Sequence, residues 1–521
     1  MARRVATLAL ILATGSGALP LTAQSNVHLD RPLSAIDWLS QSIELPPARA
    51  AATAPAPQRP YLNEPPVANG AGTPQITVTP LDAVATAPIG TLAQADTGLP
   101  VTLWSASDSN VLTTLIQAQG EPELPALRDL FVTLLLAKAD APAGDAQALL
   151  LARIDKLLDL ADLTEALALI KAADPIAPAL YRRWFDVALL TGTEDEPCSA
   201  MQTAPGLAPT YPARIFCLAR SGDWMAAALT LNTHRALGDM PDDEDALLSR
   251  FLDADLVDPA APLPPPDRIS PLIFRMREAI GEGMSTGPLP LAFARADLRD
   301  TVGEKARLDA AERLSLHGAL SPQELSRVMT GVTPAASGGV WDRVDAFRQF
   351  NAAMNDGDPQ AVADTLPTVW SAMQEVRAEV SFATLYAAPL SRIDLTGRAA
   401  DIATTVQLLS GDYANAAARP GVPAFVRSVA LGDLKDATPS TTIEEAIVAG
   451  FADTAPPQVF ADLVADKKLG EALLRALPLF DAGVAGDARS VTDALLVLHR
   501  AGMDDVARRA ALQLLLLNRT T

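Results

Sequence analysis

The chain has 521 residues, of which 49% are hydrophobic and 20% are charged, and its formal net charge is -21. Such an acidic chain is repelled by the phosphates of nucleic acids and by anionic lipid headgroups. We therefore expect no nucleic acid among its partners. The charge does not exclude basic or neutral proteins as partners. The length is sufficient for two or more ordinary domains.

The N-terminus is typical of a secretory signal peptide. It reads Met-Ala-Arg-Arg and then runs apolar from Val5 to Leu21, and a basic start before a short apolar run is the usual layout of such a signal. We predict that residues 1–23 are removed by cleavage after Ala23 and that the mature protein is periplasmic. The alternative is an uncleaved anchor, but the apolar run is shorter than the roughly 20 residues that a spanning helix needs. No stable membrane span is expected after cleavage.

Residues 24–105 are rich in proline and alanine and predict a disordered arm, because each proline removes a backbone donor and restricts its predecessor. Residues 32–45 stand out within this arm as a short amphipathic segment. Its apolar residues recur at helical spacing and make it a candidate for docking to a partner. These docking candidates are Leu33, Ile36, Trp38, Leu39 and Ile43. The segment folding back onto its own chain is an equal alternative.

The rest of the chain predicts helices, because apolar residues recur three and four apart between short Asp, Gly and Pro breaks. The clearest predicted helices are Leu124–Ala137, Ala146–Leu160, Leu163–Ala173 and Ala179–Leu190. A proline-rich run interrupts this pattern. We predict a first helical lobe at 106–257, a proline-rich seam at 258–270, and a second helical lobe at 271–521.

A short glycine–aspartate turn recurs between apolar stretches, at 221–223, 356–358, 410–412 and 501–505. Glycine ends a helix because it enters the left-handed region freely, and aspartate caps the next helix through its carboxylate. These turns predict an all-α fold, an irregular array of antiparallel helical hairpins.

Two stretches carry a family resemblance. Small residues Ala166 and Ala172 with Pro175 in one stretch, and the hairpin 213–237 in another, resemble tetratricopeptide repeats. The resemblance implies an α-solenoid, or superhelix, of the kind that binds other proteins. The turns lack the fixed period of a regular repeat, so the implied array is degenerate. An irregular helical bundle without a groove is the alternative.

Several side chains are candidates for particular roles. The two cysteines, Cys198 and Cys217, form a candidate disulfide in an oxidising compartment, with two buried free thiols as the alternative. Aromatic residues on two predicted helices are candidates for lining a binding groove, although helical spacing also fits core packing. These groove candidates are Tyr181, Trp184, Trp341 and Phe347.

Catalytic motifs are missing from the sequence. There is no phosphate-binding glycine loop and no His-Glu-x-x-His zinc motif, and the four histidines are scattered. The match Gly283–Gly287 to Gly-x-Ser-x-Gly is interpreted as a loop, because no strand precedes it. The acidic runs 194–196 and 242–245 are interpreted as helix caps. We therefore expect no catalytic, cofactor-binding or metal-binding residues, and no enzyme activity.

From these features we predict a non-enzymatic periplasmic protein that serves a cell-envelope assembly as a scaffold or accessory factor. Helical accessory proteins of the flagellar motor have a similar architecture, which is analogy only. The alternative is a peptidoglycan-associated protein, since the chain also resembles the helical superhelix of lytic transglycosylases. Those enzymes need a glutamate in a Glu-Ser context, and this sequence contains no such dipeptide. We expect the partner to be an envelope protein, and the sequence does not exclude peptidoglycan as a partner.

Overall fold

The computed structural model describes Trp38 and residues 87–238, 240–252 and 262–517. Within these residues the backbone forms α-helices, two 3-10 segments and a few isolated β-bridges, and no strand. The predicted all-α class is therefore confirmed.

The α-helices that we number are α1 (Gln94–Thr97), α2 (Ser109–Ala118), α3 (Pro125–Leu136), α4 (Ala146–Asp159), α5 (Leu163–Ala173), α6 (Pro178–Thr191), α7 (Asp195–Thr203), α8 (Tyr211–Arg220), α9 (Trp224–Leu237), α10 (Asp242–Leu252), α11 (Pro271–Ala279), α12 (Glu304–Leu316), α13 (Pro322–Gly331), α14 (Val340–Asp356), α15 (Pro359–Glu375), α16 (Glu379–Leu390), α17 (Gly397–Leu408), α18 (Tyr413–Ala417), α19 (Ala424–Leu431), α20 (Thr442–Gly450), α21 (Gln458–Ala465), α22 (Leu469–Val484), α23 (Ala488–Arg500) and α24 (Asp504–Leu516). The 3-10 segments are Pro205–Leu207 and Leu291–Leu298.

The recurring turns join consecutive helices, as the sequence predicts. Gly222, Gly357 and Gly502 adopt left-handed φ angles of 85°, 67° and 73°. Asp223 then accepts a hydrogen bond from the backbone N–H of Ala226 in α9, and Asp358 caps α15 in the same way. The copy at 410–412 differs, because Gly411 is not left-handed and Asp412 does not cap the backbone of α18.

Neighbouring helices pack as hairpins, most extensively α8 with α9, α14 with α15 and α22 with α23. The array also closes on itself. Helices α2 and α3, near the start of the described body, pack against α22, and α3 packs against α24 at the C-terminus. A simple solenoid, in which each unit contacts only its neighbours, lacks such contacts.

Residues 87–105 correct the predicted end of the arm. Ile89 and Leu92 form bridges with Ala139 and Ala137, and Trp104 is fully buried. Its ring lies so close to Gly470 of α22 that a Cβ at that glycine would stand 2.3 Å from the ring. The folded body therefore begins earlier than residue 106, because this segment buries large apolar side chains against helices that are distant in sequence.

Helices on the two sides of the proline-rich seam contact each other. Helix α6 packs against α11 and the 3-10 segment Leu291–Leu298, and the Arg275 guanidinium lies 3.0 Å from the Glu194 carboxylate. One hydrophobic core runs through both predicted lobes. The division into two lobes at this seam remains a prediction.

The predicted signal peptide and most of the arm, including Leu33, Ile36, Leu39 and Ile43, lie outside the described residues. In the part of the chain that the structure describes, no helix is both long enough and apolar enough to cross a membrane.

Candidate functional site

A cleft of about 930 Å³ opens where the middle of the chain meets its first helices. Its walls come from α3, the start of α5, the 3-10 segment Leu291–Leu298, the connection between α12 and α13, and α16. Because these elements are far apart in the sequence, the cleft exists only through tertiary packing.

The floor of the cleft is built around Arg128 of α3. One guanidinium nitrogen of Arg128, Nη2, donates to both oxygens of the Asp162 carboxylate, at 2.9 and 3.0 Å, and both side chains are buried. Its Nε also donates to the backbone oxygen of His317 at 2.8 Å. Burial raises the pKa of Asp162 to about 6, and the charge and hydrogen bonds of Arg128 oppose this rise. The pair therefore ties α3 to two chain reversals.

Gly318 allows the connection between α12 and α13 to pass close to the Arg128 side chain. It has a left-handed φ of 62°, and a Cβ at this position would stand 2.6 Å from Cδ of Arg128. Only glycine meets both conditions at low energy. The residue thus holds the connection between α12 and α13 against the Arg128 side chain.

Arg295 of the 3-10 segment Leu291–Leu298 binds the same two chain reversals as Arg128. Its Nε donates to the Ala161 oxygen at 3.0 Å, and a second nitrogen donates to the Ala319 oxygen. The Glu324 carboxylate lies 3.4 Å away. Burial alone would raise the pKa of Glu324, but hydrogen bonds from Ser321 and the charge of Arg295 outweigh it and lower that pKa. This wall is therefore held by an ionised carboxylate.

Two ion pairs cross the rim of the cleft. The His317 Nδ1 lies 2.7 Å from a Glu121 carboxylate oxygen, and the Arg377 guanidinium lies 3.0 Å from Glu123. The backbone N–H of Glu123 donates to Asp481 of α22 at 3.0 Å. The connection between α2 and α3 is thereby fixed to the middle and to the C-terminal part of the chain.

Carboxylates outnumber cations around the cleft. The lining acids are Glu121, Glu123, Asp129, Asp162, Glu165 and Glu324, and the lining basic residues are Arg128, Arg295, Arg377 and His317. The arginines are each paired with one of these acids. Asp129 and Glu165 add negative charge. The Asp129 side chain is 62% exposed, and its carboxylate lies 3.8 Å from the Arg509 guanidinium of α24. The cleft is therefore suited to a positively charged group.

The predicted groove residues lie elsewhere. Tyr181 and Phe347 have no exposed surface and Trp184 is 8% exposed. Tyr181 donates its hydroxyl to the Pro197 oxygen at 2.6 Å, and Trp341 is partly buried against the core. None of the four lines the cleft. The structure places these aromatic side chains in core packing, which is the alternative that their helical spacing also allowed.

The cysteines come together in the structure. Cys198 of α7 and Cys217 of α8 are joined by a disulfide, with Cα atoms 5.1 Å apart. Both side chains are buried. The bond links two consecutive helices, and neither cysteine lines the cleft.

The acidic run 194–196 lies at a helix start, as interpreted: Glu194 is the N-cap residue of α7, and Asp195 and Glu196 occupy its first turn. The Glu194 side chain makes no cap bond to α7. It is fully buried, and its Oε1 pairs with Arg220 at 3.1 Å and Arg275 at 3.0 Å. Charge-assisted contacts of this kind are stronger than a neutral hydrogen bond. The run 242–245 does occupy the first turn of α10.

The match to Gly-x-Ser-x-Gly forms a loop after α11, with no strand before Ser285. The Ser285 hydroxyl accepts a hydrogen bond from Gly287. Within the described ranges no group of acidic, histidine or cysteine side chains is arranged to hold a metal ion.

Comparison with known proteins adds no relative: no family model matches the chain, and no curated protein and no solved structure matches it. Sequence reasoning missed the cleft because its residues form no local motif. The sole signal was the presence of isolated charged residues within otherwise apolar helical stretches, Arg128 above all.

Proposed function

We propose that this protein is a non-enzymatic helical scaffold of the bacterial cell envelope, and that its cleft binds a basic segment of a protein partner. The secretory N-terminus supports the compartment, and the helical array supports a binding role. The observation that carries the proposal is the excess of carboxylates around the cleft. Such charge complementarity favours the encounter with a cationic segment and its specificity.

The cleft chemistry favours recognition over reaction. The arginines that line the cleft are held by carboxylates and backbone oxygens, so they stabilise its walls. Glu165 and Asp129 are the acidic groups left to a ligand, and a ligand cation at Asp129 would compete with the 3.8 Å pair that Asp129 makes with Arg509. A lysine or arginine side chain entering the cleft would meet these two carboxylates. Both can be neutralised without breaking the Arg128 or Arg295 contacts.

The test uses a lysine- and leucine-rich helical peptide of roughly 15 residues, the length at which isolated helices become marginally stable. We expect Asp129→Asn with Glu165→Gln to weaken its binding about three- to tenfold at low salt, as loss of partly exposed charge pairs predicts. The matched control is Asp436→Asn with Glu445→Gln, two exposed acids away from the cleft. Equal affinity of both double variants would overturn the cleft as the site.

The same pair of variants tests the partner in the envelope. A crosslinked partner that is lost with Asp129→Asn and Glu165→Gln, and retained with the control pair, supports the scaffold function. Incubation with murein sacculi tests the non-enzymatic part of the proposal. Release of muropeptides by the purified protein would contradict it and favour the peptidoglycan alternative.

A further inference from the structure

Trp38 is a described residue whose ring contacts Phe293, a residue far away in the sequence. Its side chain is 3% exposed, and its ring packs edge-on against Phe293 with the ring centroids 5.5 Å apart. Phe293 in turn packs edge-on against Phe274 of α11 at 5.6 Å. Edge-to-face geometry of this kind is favourable between aromatic rings. Trp38 thus completes a three-ring cluster in which the other two rings belong to the helical body.

The Trp38 contact rests on ring packing. The indole Nε1 is buried and has no hydrogen-bond partner among the described residues. A buried donor without a partner weakens an association, because water had satisfied that donor in the free state. The contact is therefore apolar and depends on ring packing.

We propose that Phe274 and Phe293 form a docking pocket for Trp38 of the same chain, and that this contact fastens the N-terminal section reversibly to the helical body. Trp38 lies beyond the predicted cleavage point after Ala23, so the mature chain retains it. Residues 39–86 connect it to the described body. This tether gives Trp38 an effective concentration on the order of a millimolar, which offsets a weak intrinsic affinity.

Trp38 belongs to the amphipathic segment that the sequence predicts at 32–45, and its contact with Phe293 favours the fold-back alternative over docking to an external partner. The proposal is independent of the cleft, because neither Phe274 nor Phe293 lines it. An external amphipathic helix with a tryptophan would have to displace Trp38 to occupy the same pocket.

The test uses the full mature chain and a fluorescent peptide of residues 30–46. Trp38→Ala empties the pocket without touching the core helices. We expect the peptide to bind the Trp38→Ala chain at least about tenfold more tightly than the wild-type chain, since the tethered segment competes in the wild type. The same peptide carrying Trp38→Ala should bind neither chain. Trp224→Ala is the matched control, because Trp224 is 51% exposed on α9 and its loss should leave peptide binding unchanged.

Equal binding of the peptide to the Trp38→Ala and wild-type chains, or no binding to either, would overturn the proposal. Sedimentation of the wild-type chain tests whether the Trp38 in the pocket belongs to the same chain or to a second copy. A monomer supports docking within one chain, whereas a concentration-dependent dimer that Trp38→Ala abolishes would assign the pocket to a second copy and contradict it. Circular dichroism of Trp38→Ala checks that the helical body is intact.

Discussion

At the scale of single residues, the cleft depends on the close contact between Gly318 and the Arg128 side chain. Arg128 satisfies its guanidinium with Asp162 and with backbone oxygens of two chain reversals. That arrangement requires the chain to pass closely over the arginine, and Gly318 allows it. A buried arginine is stable only where its donors are paired, so the loop and the side chain are mutually dependent.

Gly318→Ala tests this dependence. We expect it to lower the free energy of unfolding by about 2–3 kcal/mol, because a Cβ strains the left-handed backbone and also displaces Arg128. Gly357→Ala is the matched control. Gly357 has a similar φ of 67°, but a Cβ there would meet no atom within 4 Å, so only the backbone cost of about 1–2 kcal/mol is expected. Urea denaturation measures both, and equal losses would show that the contact with Arg128 is unimportant.

At the scale of elements, helix ends follow local chemistry closely. The predicted helix Leu163–Ala173 has the same bounds in the structure, and Ala146–Leu160 differs by one residue. Asp145 caps the start of α4 by accepting hydrogen bonds from Gln147 and Ala148, whereas α5 starts without a side-chain cap bond and ends at the left-handed residue Asp174. Pairs of helices are stabilised by packing, and α7 with α8 also by the disulfide.

Reduction of the disulfide tests its contribution to the α7–α8 pair. The cysteines are 19 residues apart, and a loop of this size predicts a stabilisation of about 3 kcal/mol, chiefly by restricting the unfolded chain. We expect a reducing agent to lower the urea midpoint of the wild-type protein. Cys198→Ala with Cys217→Ala should lower it similarly and be insensitive to reductant. A wild-type midpoint unchanged by reduction would contradict the prediction.

At the scale of the whole molecule, contacts between the first and last helices join the array into one body. The backbone N–H of Ala126 donates to the buried Gln513 side chain at 2.8 Å, and Gly470 donates to the Leu103 oxygen at 3.2 Å. The hydrophobic core is continuous from Leu99 to Leu517. Loss of either end therefore exposes apolar surface on the other.

This continuity predicts cooperative unfolding. We expect one calorimetric transition for the mature chain, with the same midpoint by far-ultraviolet circular dichroism and by tryptophan fluorescence, since coincident probes indicate a single cooperative unit. Two separated transitions would instead support the two lobes that the sequence predicts at 106–257 and 271–521.

The all-α class, the bounds of four helices to within one residue and the cysteine pair as a candidate disulfide follow from the sequence alone, because periodicity, caps and turns act over a few residues. Tertiary structure decided that Tyr181 and Phe347 are core residues, that Trp104 packs on α22, and that the array closes. It also created the cleft. Arg128, Arg295 and His317 come from three distant elements, and the free energy that brings them together is the burial of apolar surface, which carries no local sequence signature.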